Sequence, residues 1–265
     1  MKFSKLIESI KSVRDYKFNQ IEDSRLNEIL NIMKNNKFFN KDKMDIVLLN
    51  NGNKVYESLK GKAGYYGNMI KAPYYLLITS DEFSHNKKYA GYLMELARLK
   101  AFDLGLGSCF ISIDDSYTIK KHFNIEKNPI AFISLGYAYT GIFKRDISSK
   151  PSRSGIEDMV YMNNWGERAN PNILEQRALS NILYYSKYAP SWGNKEPWKF
   201  LVKDNKISLF IDKKEIKDVD LHGGIIMLYI DQIALEEGFS SLWHLESQDL
   251  PGVPNNYSSI GYFSI

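Results

Sequence analysis

The stretches GYLMELARLKAFDLGLGSCF (residues 91–110) and GIIMLYIDQIALEEGFSSLW (residues 224–243) align with one another without a gap. Apolar residues fall on nearly every face of both, which predicts two buried helices. A glycine occupies the same place in each, where a left-handed residue commonly ends a helix. The matched pairs are Met94 with Met227, Ala101 with Ala234, Asp103 with Glu236, Gly105 with Gly238, Ser108 with Ser241 and Phe110 with Trp243. A long buried helix that occurs twice indicates an internal duplication.

Two further landmarks recur in the same order around these stretches. Apolar residues at helical spacing come before each, within RLNEILNIMK (25–34) and RALSNILYYSK (177–187). A short apolar run that predicts a strand follows each, ending in Ser134–Tyr137 and in Ser259–Tyr262. The sequence therefore predicts two related α+β units, 1–140 and 173–265. The segment 141–172 is rich in Ser, Gly, Asn and Arg and is predicted to be a connector.

Other apolar runs predict strands between the landmarks. MDIVLLN (44–50) and PYYLLITS (73–80) predict strands of the first unit. FLVKDNKISLFID (200–212) predicts a hairpin that turns at Asp204 and Asn205.

Composition excludes several classes of protein. The chain has 265 residues, with 44% hydrophobic, 14% aromatic and 25% charged residues, as in an ordered globular protein. No window reaches the roughly 18 to 20 apolar residues of a membrane helix, and the first residues lack the apolar core of a signal peptide. We therefore expect a cytoplasmic protein with no membrane partner. The single cysteine, Cys109, cannot form an intrachain disulfide and is expected in the core, and the four scattered histidines show no metal-binding spacing.

Charge is distributed unevenly along the chain. Residues 1–150 contain 24 basic and 16 acidic residues, and residues 151–265 contain 11 and 15. A basic N-terminal part could attract nucleic acid or a phosphorylated small molecule. Its lysines are dispersed and form no clustered stripe, which favours a solvated surface and argues against a nucleic-acid partner.

Familiar nucleotide and hydrolase motifs are absent, and two unusual segments stand out. No GxGxxG, P-loop, HExxH or GxSxG pattern occurs. In the first segment, IKSVRDY (10–16), Lys11 and Arg14 bracket Ser12 after a predicted N-terminal helix. These side chains could hold a phosphate or an anionic ring by charge-assisted hydrogen bonds. Cations near the negative end of a helix dipole are the alternative interpretation.

The second unusual segment is YAPSWGNKEPWKF (188–200), which is predicted to run from a helix into a strand. Its Pro, Ser, Gly and Asn residues exclude a helix. The loop exposes backbone donors, a hydroxyl and an amide beside two indoles, which suits a flat polar heterocycle. The alternative is a rigid connector, and Trp198 is expected in the core in either case.

Both segments resemble motifs of the nitroreductase-like flavoproteins. YAPSWGNKEPWKF is similar to their APSxxNxQPWxF loop, and SVRDY is similar to the second half of their N-terminal RRSxRxF motif. YYGNMIKAPYYLLI and GYLMELARLKAFDLGLGSCFI resemble their middle segments. The resemblance covers nearly the whole chain and is closest to a branch in which one chain carries two nitroreductase-like units. It implies an α+β nitroreductase-like fold, arranged as a tandem pseudo-dimer.

The resemblance also implies a cofactor and an activity. In ordinary members two identical chains form the FMN site, and each contributes one of the two motifs. Here the first unit has SVR, with NNKFFNKDK in place of the loop, and the second unit has the loop without SVR. This implies one FMN site per chain in a monomeric pseudo-dimer. It further implies electron transfer from NADH or NADPH to a small oxidised acceptor such as a nitroaromatic or a quinone.

Site residues follow from the resemblance position by position. No side chain is assigned a catalytic step, because the flavin carries the chemistry. Lys11 and Ser12 would face the FMN phosphate, and Arg14 would approach the pyrimidine edge of the ring. Pro190, Ser191 and Asn194 would lie against the ring, and a backbone N–H near Ser112 and Ile113 would face its redox nitrogen. Arg153 is expected as a second phosphate contact, and Asn68 is expected to reach the ring.

Two residues depart from the family pattern. Ile10 stands where the motif has its first arginine, and Glu196 stands where the loop has glutamine. A hydrogen bond to a charged group contributes about 1.5–3 kcal/mol, so the missing cation predicts weaker FMN binding. This keeps open the alternative of a non-catalytic flavin-binding carrier or sensor.

Overall fold

A computed structural model describes residues 2–141, 152–177, 179–240 and 242–265, and the chain divides into two compact units. The N-terminal unit is Ser9–Lys150. The C-terminal unit combines Met1–Glu8 with Pro151–Ile265. The predicted boundaries, 1–140 and 173–265, place the first eight residues in the N-terminal unit instead. Residues 142–151 of the predicted connector lie outside the described residues.

The elements of the first 140 residues alternate between helices and short strands. In chain order they are α1 (Phe3–Ser9), β1 (Tyr16–Lys17), α2 (Asp23–Lys34), β2 (Met44–Leu49), α3 (Gly52–Leu59), β3 (Ala63–Gly64), β4 (Tyr74–Ser80), α4 (Asn86–Asp103), β5 (Gly107–Phe110), β6 (Ser112–Ile113), α5 (Ser116–Phe123) and β7 (Asn128–Ala138). The predicted strands at 44–50 and 73–80 and the predicted helix at 25–34 are confirmed.

The rest of the chain continues the same numbering. Its elements are α6 (Ile156–Met159), β8 (Val160–Met162), α7 (Pro171–Gln176), α8 (Ser180–Ser186), a 3-10 turn (Trp192–Asn194), β9 (Trp198–Lys203), β10 (Lys206–Asp212), α9 (Val219–Glu236), β11 (Leu242–His244) and β12 (Tyr257–Ser264). The predicted hairpin is confirmed as β9 and β10, and Asp204 in its turn has φ 51°.

The two main sheets share an antiparallel core with the same strand order. In the N-terminal unit β4 lies between β2 and β7, and β5 pairs with β7 as well. In the C-terminal unit β10 lies between β9 and β12, and β11 pairs with β12. Each sheet adds one strand of its own. β1 extends along β7 from Tyr16, and β8 pairs in parallel with β9.

The long helices α4 and α9 match residue for residue. Both have 18 residues and begin and end at positions that the gapless alignment makes equivalent. Gly105 and Gly238 follow them with φ 77° and 86°. Across this glycine the N–H of Leu106 donates to Ala101 O (2.8 Å), and the N–H of Phe239 donates to Ala234 O (2.9 Å), as in a Schellman motif. The predicted buried helices and their glycine ends are confirmed.

The residues after each glycine enter strands, β5 and β11. Ser241, the predicted counterpart of Ser108, lies outside the described residues. Residues 152–172 of the predicted connector belong to the C-terminal unit, where β8 pairs with β9. The chain therefore has the mixed α+β fold that the sequence predicts. Among the described residues, no helix combines the length and apolar character needed to cross a membrane.

The first helix, α1, packs on the C-terminal unit. The carboxylate of Glu236 accepts hydrogen bonds from the backbone N–H groups of Phe3 and Ser4. The ring of Phe3 meets the ring of Tyr229 edge-on, with the centroids 5.5 Å apart. A carboxylate at a helix N-terminus satisfies donors that have no partner inside the helix. This helix directly precedes the segment with the first motif.

Candidate functional site

The segment from Lys11 to Tyr16 is fixed along the edge of the N-terminal sheet. The N–H of Val13 donates to Ser108 O (3.0 Å), and Asp15 O accepts from the N–H of Tyr139 (2.9 Å). Val13 packs so closely on Gly107 that a Cβ there would lie 2.6 Å from a methyl carbon of Val13. Only glycine permits this approach. The side chains of Ser12 and Arg14 are half-buried and that of Lys11 is exposed.

Tyr16 anchors the end of this segment. Its side chain is buried, and its hydroxyl contacts Val13 O and lies 2.8 Å from Ser134 Oγ. Burial raises the pKa of Tyr16 well above its usual value of 10.0. The phenol therefore stays neutral and fastens the segment to β7 by hydrogen bonds. The sequence did not single out this residue.

Arg14 lies over the ring of Tyr65. Its guanidinium carbon is 4.2 Å from the ring centroid, which is a cation–π contact. Tyr65 begins a tight turn in which Tyr65 and Asn68 exchange backbone hydrogen bonds of 2.9 and 3.1 Å. Both central residues have positive φ, Tyr66 at 49° and Gly67 at 76°, as a type I′ turn requires. This turn brings Asn68 to the same cleft as Arg14.

The cleft has a volume of about 810 Å³ and combines cations with aromatic rings. Its lining includes Arg14, Phe18, Tyr56, Tyr65, Asn68 and Lys71. The Nζ atom of Lys71 is 5.4 Å from the ring centroid of Phe18 and 5.7 Å from that of Tyr56. The structure thus brings together Arg14 and Asn68, two of the predicted residues. Sequence reasoning missed Lys71 and the tyrosines, although Lys71 lies only three residues after Asn68.

Ser112 and Ile113 form β6, which pairs with β3. Ser112 faces Gly64 and Ile113 faces Ala63, directly before the turn that contains Asn68. Gly64 is closely approached, since a Cβ there would lie 2.6 Å from the backbone of Asn68. Ser112 and Ile113 are therefore adjacent to the turn, but they are not among the residues that line the cleft.

The remaining predicted residues lie in the C-terminal unit, on the loop between α8 and β9. The Oγ of Ser191 accepts from the N–H of Glu196 (2.9 Å), and Nδ2 of Asn194 donates to Ser152 O (3.3 Å). Pro190 is half-buried, and its neighbour Ala189 is fully buried. Trp198 is fully buried, so its predicted core position is confirmed.

Arg153 is held by this loop. Its guanidinium donates to Glu196 Oε1 (3.1 Å), to Ala189 O (3.2 Å) and to Tyr188 O (3.4 Å). Sequence reasoning assigned Arg153 to a phosphate and treated Glu196 as a separate departure. The structure joins the two residues in one ion pair.

His222 of α9 holds the same loop from another side. Its Nε2 accepts from the N–H of Trp192 (3.1 Å), and its Nδ1 lies 2.9 Å from Asp218 O. This pattern requires a neutral ring with its proton on Nδ1. Burial lowers the pKa of His222 below 6.5, although Asp218 favours the protonated form. The sequence offered no signal for this contact.

Cys109 lies buried in β5, where its Sγ is 3.5 Å from Phe110 O. The expected core position is confirmed. Within the described ranges, no cluster of three or more His, Cys, Asp or Glu residues is placed to hold a metal ion.

Comparison with known proteins assigns the family. The family model described as "Putative TM nitroreductase" matches residues 2–234. A protein described as a putative nitroreductase from Thermotoga maritima MSB8 shares 19% identity and a TM-score of 0.61, over 98% of this chain and 94% of that one. No curated protein matches the chain.

Two shorter solved structures match with lower scores. An FMN-dependent nitroreductase from Clostridium difficile R20291 has 17% identity and a TM-score of 0.45, over 65% of this chain and 94% of that one. A protein from Parabacteroides distasonis ATCC 8503, described as a putative NADH dehydrogenase/NAD(P)H nitroreductase, has 14% identity and a TM-score of 0.49, over 61% and 97%. The family model itself spans most of the chain, and so the chain belongs to this nitroreductase family.

Proposed function

We propose that the chain is an FMN-dependent oxidoreductase that passes electrons from NADH or NADPH to a small oxidised acceptor, such as a nitroaromatic or a quinone. The observation that carries this proposal is the cleft of the N-terminal unit, where Arg14, Asn68 and Lys71 stand among aromatic side chains. Membership of the nitroreductase family supports the same conclusion.

The residues of the cleft fit a flavin by their chemistry. Aromatic walls such as Tyr56 and Tyr65 suit a flat ring, and the amide of Asn68 both donates and accepts hydrogen bonds. Arg14 and Lys71 supply positive charge for the edge of the ring that becomes negative on reduction. The cleft volume of about 810 Å³ lies within the range of ordinary cofactor sites.

FMN, when bound, supplies the transfer of a hydride or of single electrons. The chain supplies binding, orientation and charge. We assign Arg14 and Lys71 to the charged edge of the ring, Asn68 to its polar atoms, and Lys11 and Ser12 to the phosphate. We assign the backbone at Ser112 and Ile113 to the ring as well. Pro190, Ser191 and Asn194 complete the proposed set from the C-terminal unit.

An absorption spectrum of the purified protein tests this function. We expect the bands of oxidised FMN, and we expect anaerobic addition of NADH or NADPH to bleach them. A protein that takes up no FMN when FMN is supplied would refute the proposal. FMN bands that persist with both nicotinamides would favour the second candidate, a flavin carrier or sensor. That candidate is supported by Ile10, a buried apolar side chain at the position of the missing cation.

We also propose one FMN per chain, with no second chain needed. SVR occurs only at 12–14 and APS only at 189–191, one in each unit. Covalent linkage of the two units makes their association independent of protein concentration. Flavin released per chain should be one, and light scattering should give the same molar mass and flavin content across dilution. Two flavins per chain, or loss of FMN together with dissociation of a dimer, would contradict this proposal.

A further inference from the structure

The loop from Tyr188 to Pro197 has an unusual backbone conformation. Gly193, Asn194 and Glu196 have φ 59°, 56° and 47°, so three of four successive residues are left-handed. For residues with a Cβ this conformation costs about 1–2 kcal/mol each. Such a loop persists only where its surroundings determine its conformation.

Arg153 and Glu196 provide this determination from inside the C-terminal unit. Their side chains are only 17% and 4% exposed, and the ion pair measures 3.1 Å. The guanidinium of Arg153 has further acceptors, because it also donates hydrogen bonds to Ala189 O and Tyr188 O. The carboxylate of Glu196 has a second donor, because its Oε2 accepts a hydrogen bond from the N–H of Ser154 (2.9 Å). Every polar end of the pair thus has a partner of opposite character.

The pair joins two separate segments. Residues 152–154 lie on one side, and both ends of the loop lie on the other, through Tyr188 and Ala189 at its start and Glu196 at its end. Removing one member of a buried pair leaves the other uncompensated, which is strongly unfavourable. Because Arg153 contacts both the start of the loop and Glu196 at its end, the pair sets the distance between the two ends.

We propose that Arg153 and Glu196 are positioning residues that latch the loop in its flavin-binding shape, and that Arg153 does not contact the FMN phosphate. The inference rests on the proposed function in that the loop carries Pro190 and Ser191. It replaces the phosphate role expected for Arg153 with a neutralised pair. It also gives Glu196 a purpose, since its charge compensates the buried arginine.

Binding of two probes, FMN and riboflavin, separates the latch from a phosphate contact, because riboflavin has no phosphate. The latch predicts that Glu196→Ala and Arg153→Ala each weaken the binding of FMN and of riboflavin by the same factor. This factor should be about tenfold or more, as expected for loss of a charged hydrogen bond. Glu196→Gln, which keeps the shape and removes the charge, should fall between Glu196→Ala and wild type. Arg168→Ala is the matched control, because its pair with Asp158 is 71% and 56% exposed.

A phosphate contact predicts the opposite pattern. Glu196→Ala would then free Arg153 and leave FMN binding equal or tighter, and Arg153→Ala would weaken FMN alone. Either result would overturn the latch.

Hydrogen–deuterium exchange of the flavin-free protein tests the latch even if no flavin binds. Glu196→Gln and Glu196→Ala should speed exchange at the N–H groups of Asn194 and Glu196 and leave β9 and β10 unchanged. Unchanged exchange in the loop would overturn the latch whatever the flavin result. Exchange that rises in the loop while wild type binds no flavin would sustain the latch and refute the proposed function. Glu196→Gln keeps the test valid if the alanine variants fail to fold.

Discussion

The two units place different residues at one equivalent position of their long helices. Continuing the gapless alignment by two residues puts Tyr89 of α4 opposite His222 of α9. Tyr89 contacts the segment that follows α2, and His222 contacts the segment that follows α8. The ring of Phe38 stacks on Tyr89, with the centroids 5.0 Å apart and the planes at 15°. In the C-terminal unit His222 instead accepts the backbone N–H of Trp192.

Equivalent positions of the two long helices therefore make different kinds of contact. Phe38 contacts two rings of α4, because it stacks on Tyr89 and meets Tyr92 edge-on with 4.7 Å between the centroids. In the C-terminal loop, Trp192 donates its backbone N–H to His222, and the residue is 39% exposed. The two units agree in the order of four sheet strands and in the bounds of their long helices, and they differ in the segments that contact Tyr89 and His222.

The largest effect should come from a buried ion pair within α4, which has no equivalent within α9 because the residues of that helix include neither Lys nor Arg. Glu95 and Arg98 are 0% and 3% exposed and pair through bonds of 2.6 and 2.7 Å, whereas α9 has Leu228 opposite Glu95. Arg98→Leu leaves the Glu95 carboxylate buried without this cation. We expect a loss of about 3–5 kcal/mol in the free energy of unfolding, measured in urea.

The exposed pair of Arg168 and Asp158 again supplies the control, and Arg168→Ala should cost less than about 1 kcal/mol. If the two variants lose equal free energy of unfolding, the buried pair of α4 stabilises the protein no more than the exposed pair does.

The next effect concerns Gly107, which is opposite Ser240 in the alignment. The docked Val13 leaves no room for a Cβ at Gly107, whereas Ser240 is exposed. Gly107→Ala should destabilise the protein by about 1–3 kcal/mol, as overpacking does, and displace the segment that carries Arg14. FMN titration and urea unfolding measure the two effects.

Ser240→Ala should change neither quantity. Val13→Ala in the Gly107→Ala background should restore part of the FMN binding, because it reopens the contact. A Gly107→Ala protein that binds FMN as wild type does would remove this docking from the candidate site.

Much of the scaffold was predictable because buried elements contain runs of apolar residues. The helices α4 and α9 and the strand β4 contain such runs and are mostly buried, and β2 is an apolar run of which only Met44 is buried. Apolar residues indicate burial, but they do not indicate which element pairs with which. The parallel pairing of β8 with β9 was therefore missed, and a segment predicted as a connector became part of a sheet.

The candidate site was predictable only where a motif carried it. Arg14 stood out in the segment IKSVRDY, and the resemblance gave it a place at the ring and added Asn68. Lys71 lies in the cleft near the rings of Phe18 and Tyr56, and the link between Arg153 and Glu196 joins residues 43 positions apart. Neither contact leaves a local pattern, because each depends on how distant segments fold together.

A smaller effect is expected at Arg14 itself. Arg14→Ala should slow reduction of bound flavin by NADH or NADPH more than it weakens FMN binding, because negative charge grows on the ring during reduction. A charged hydrogen bond of about 1.5–3 kcal/mol corresponds to roughly tenfold to hundredfold in rate. Arg14→Lys should be milder, since the charge remains while the planar stack on Tyr65 is lost. Stopped-flow reduction at saturating FMN measures the rate, and equal rates in wild type and Arg14→Ala would exclude Arg14 from the ring edge.

The smallest effect is a pH dependence confined to the C-terminal unit's loop. Burial lowers the pKa of His222 in the folded protein, so the unfolded chain binds the proton more readily. The stability that neutral His222 provides is therefore complete above its unfolded pKa of about 6.5 and is lost as the pH falls through the lower folded pKa. One proton limits the slope to about 1.4 kcal/mol per pH unit. The equivalent Tyr89 does not titrate in this pH range, because burial raises its pKa above 10.0.

Urea unfolding between about pH 7.5 and 5 should show a fall in stability that is smaller in His222→Gln, which keeps an acceptor and cannot titrate. Identical pH profiles in the two proteins would mean that the bond from Trp192 to His222 does not control the loop.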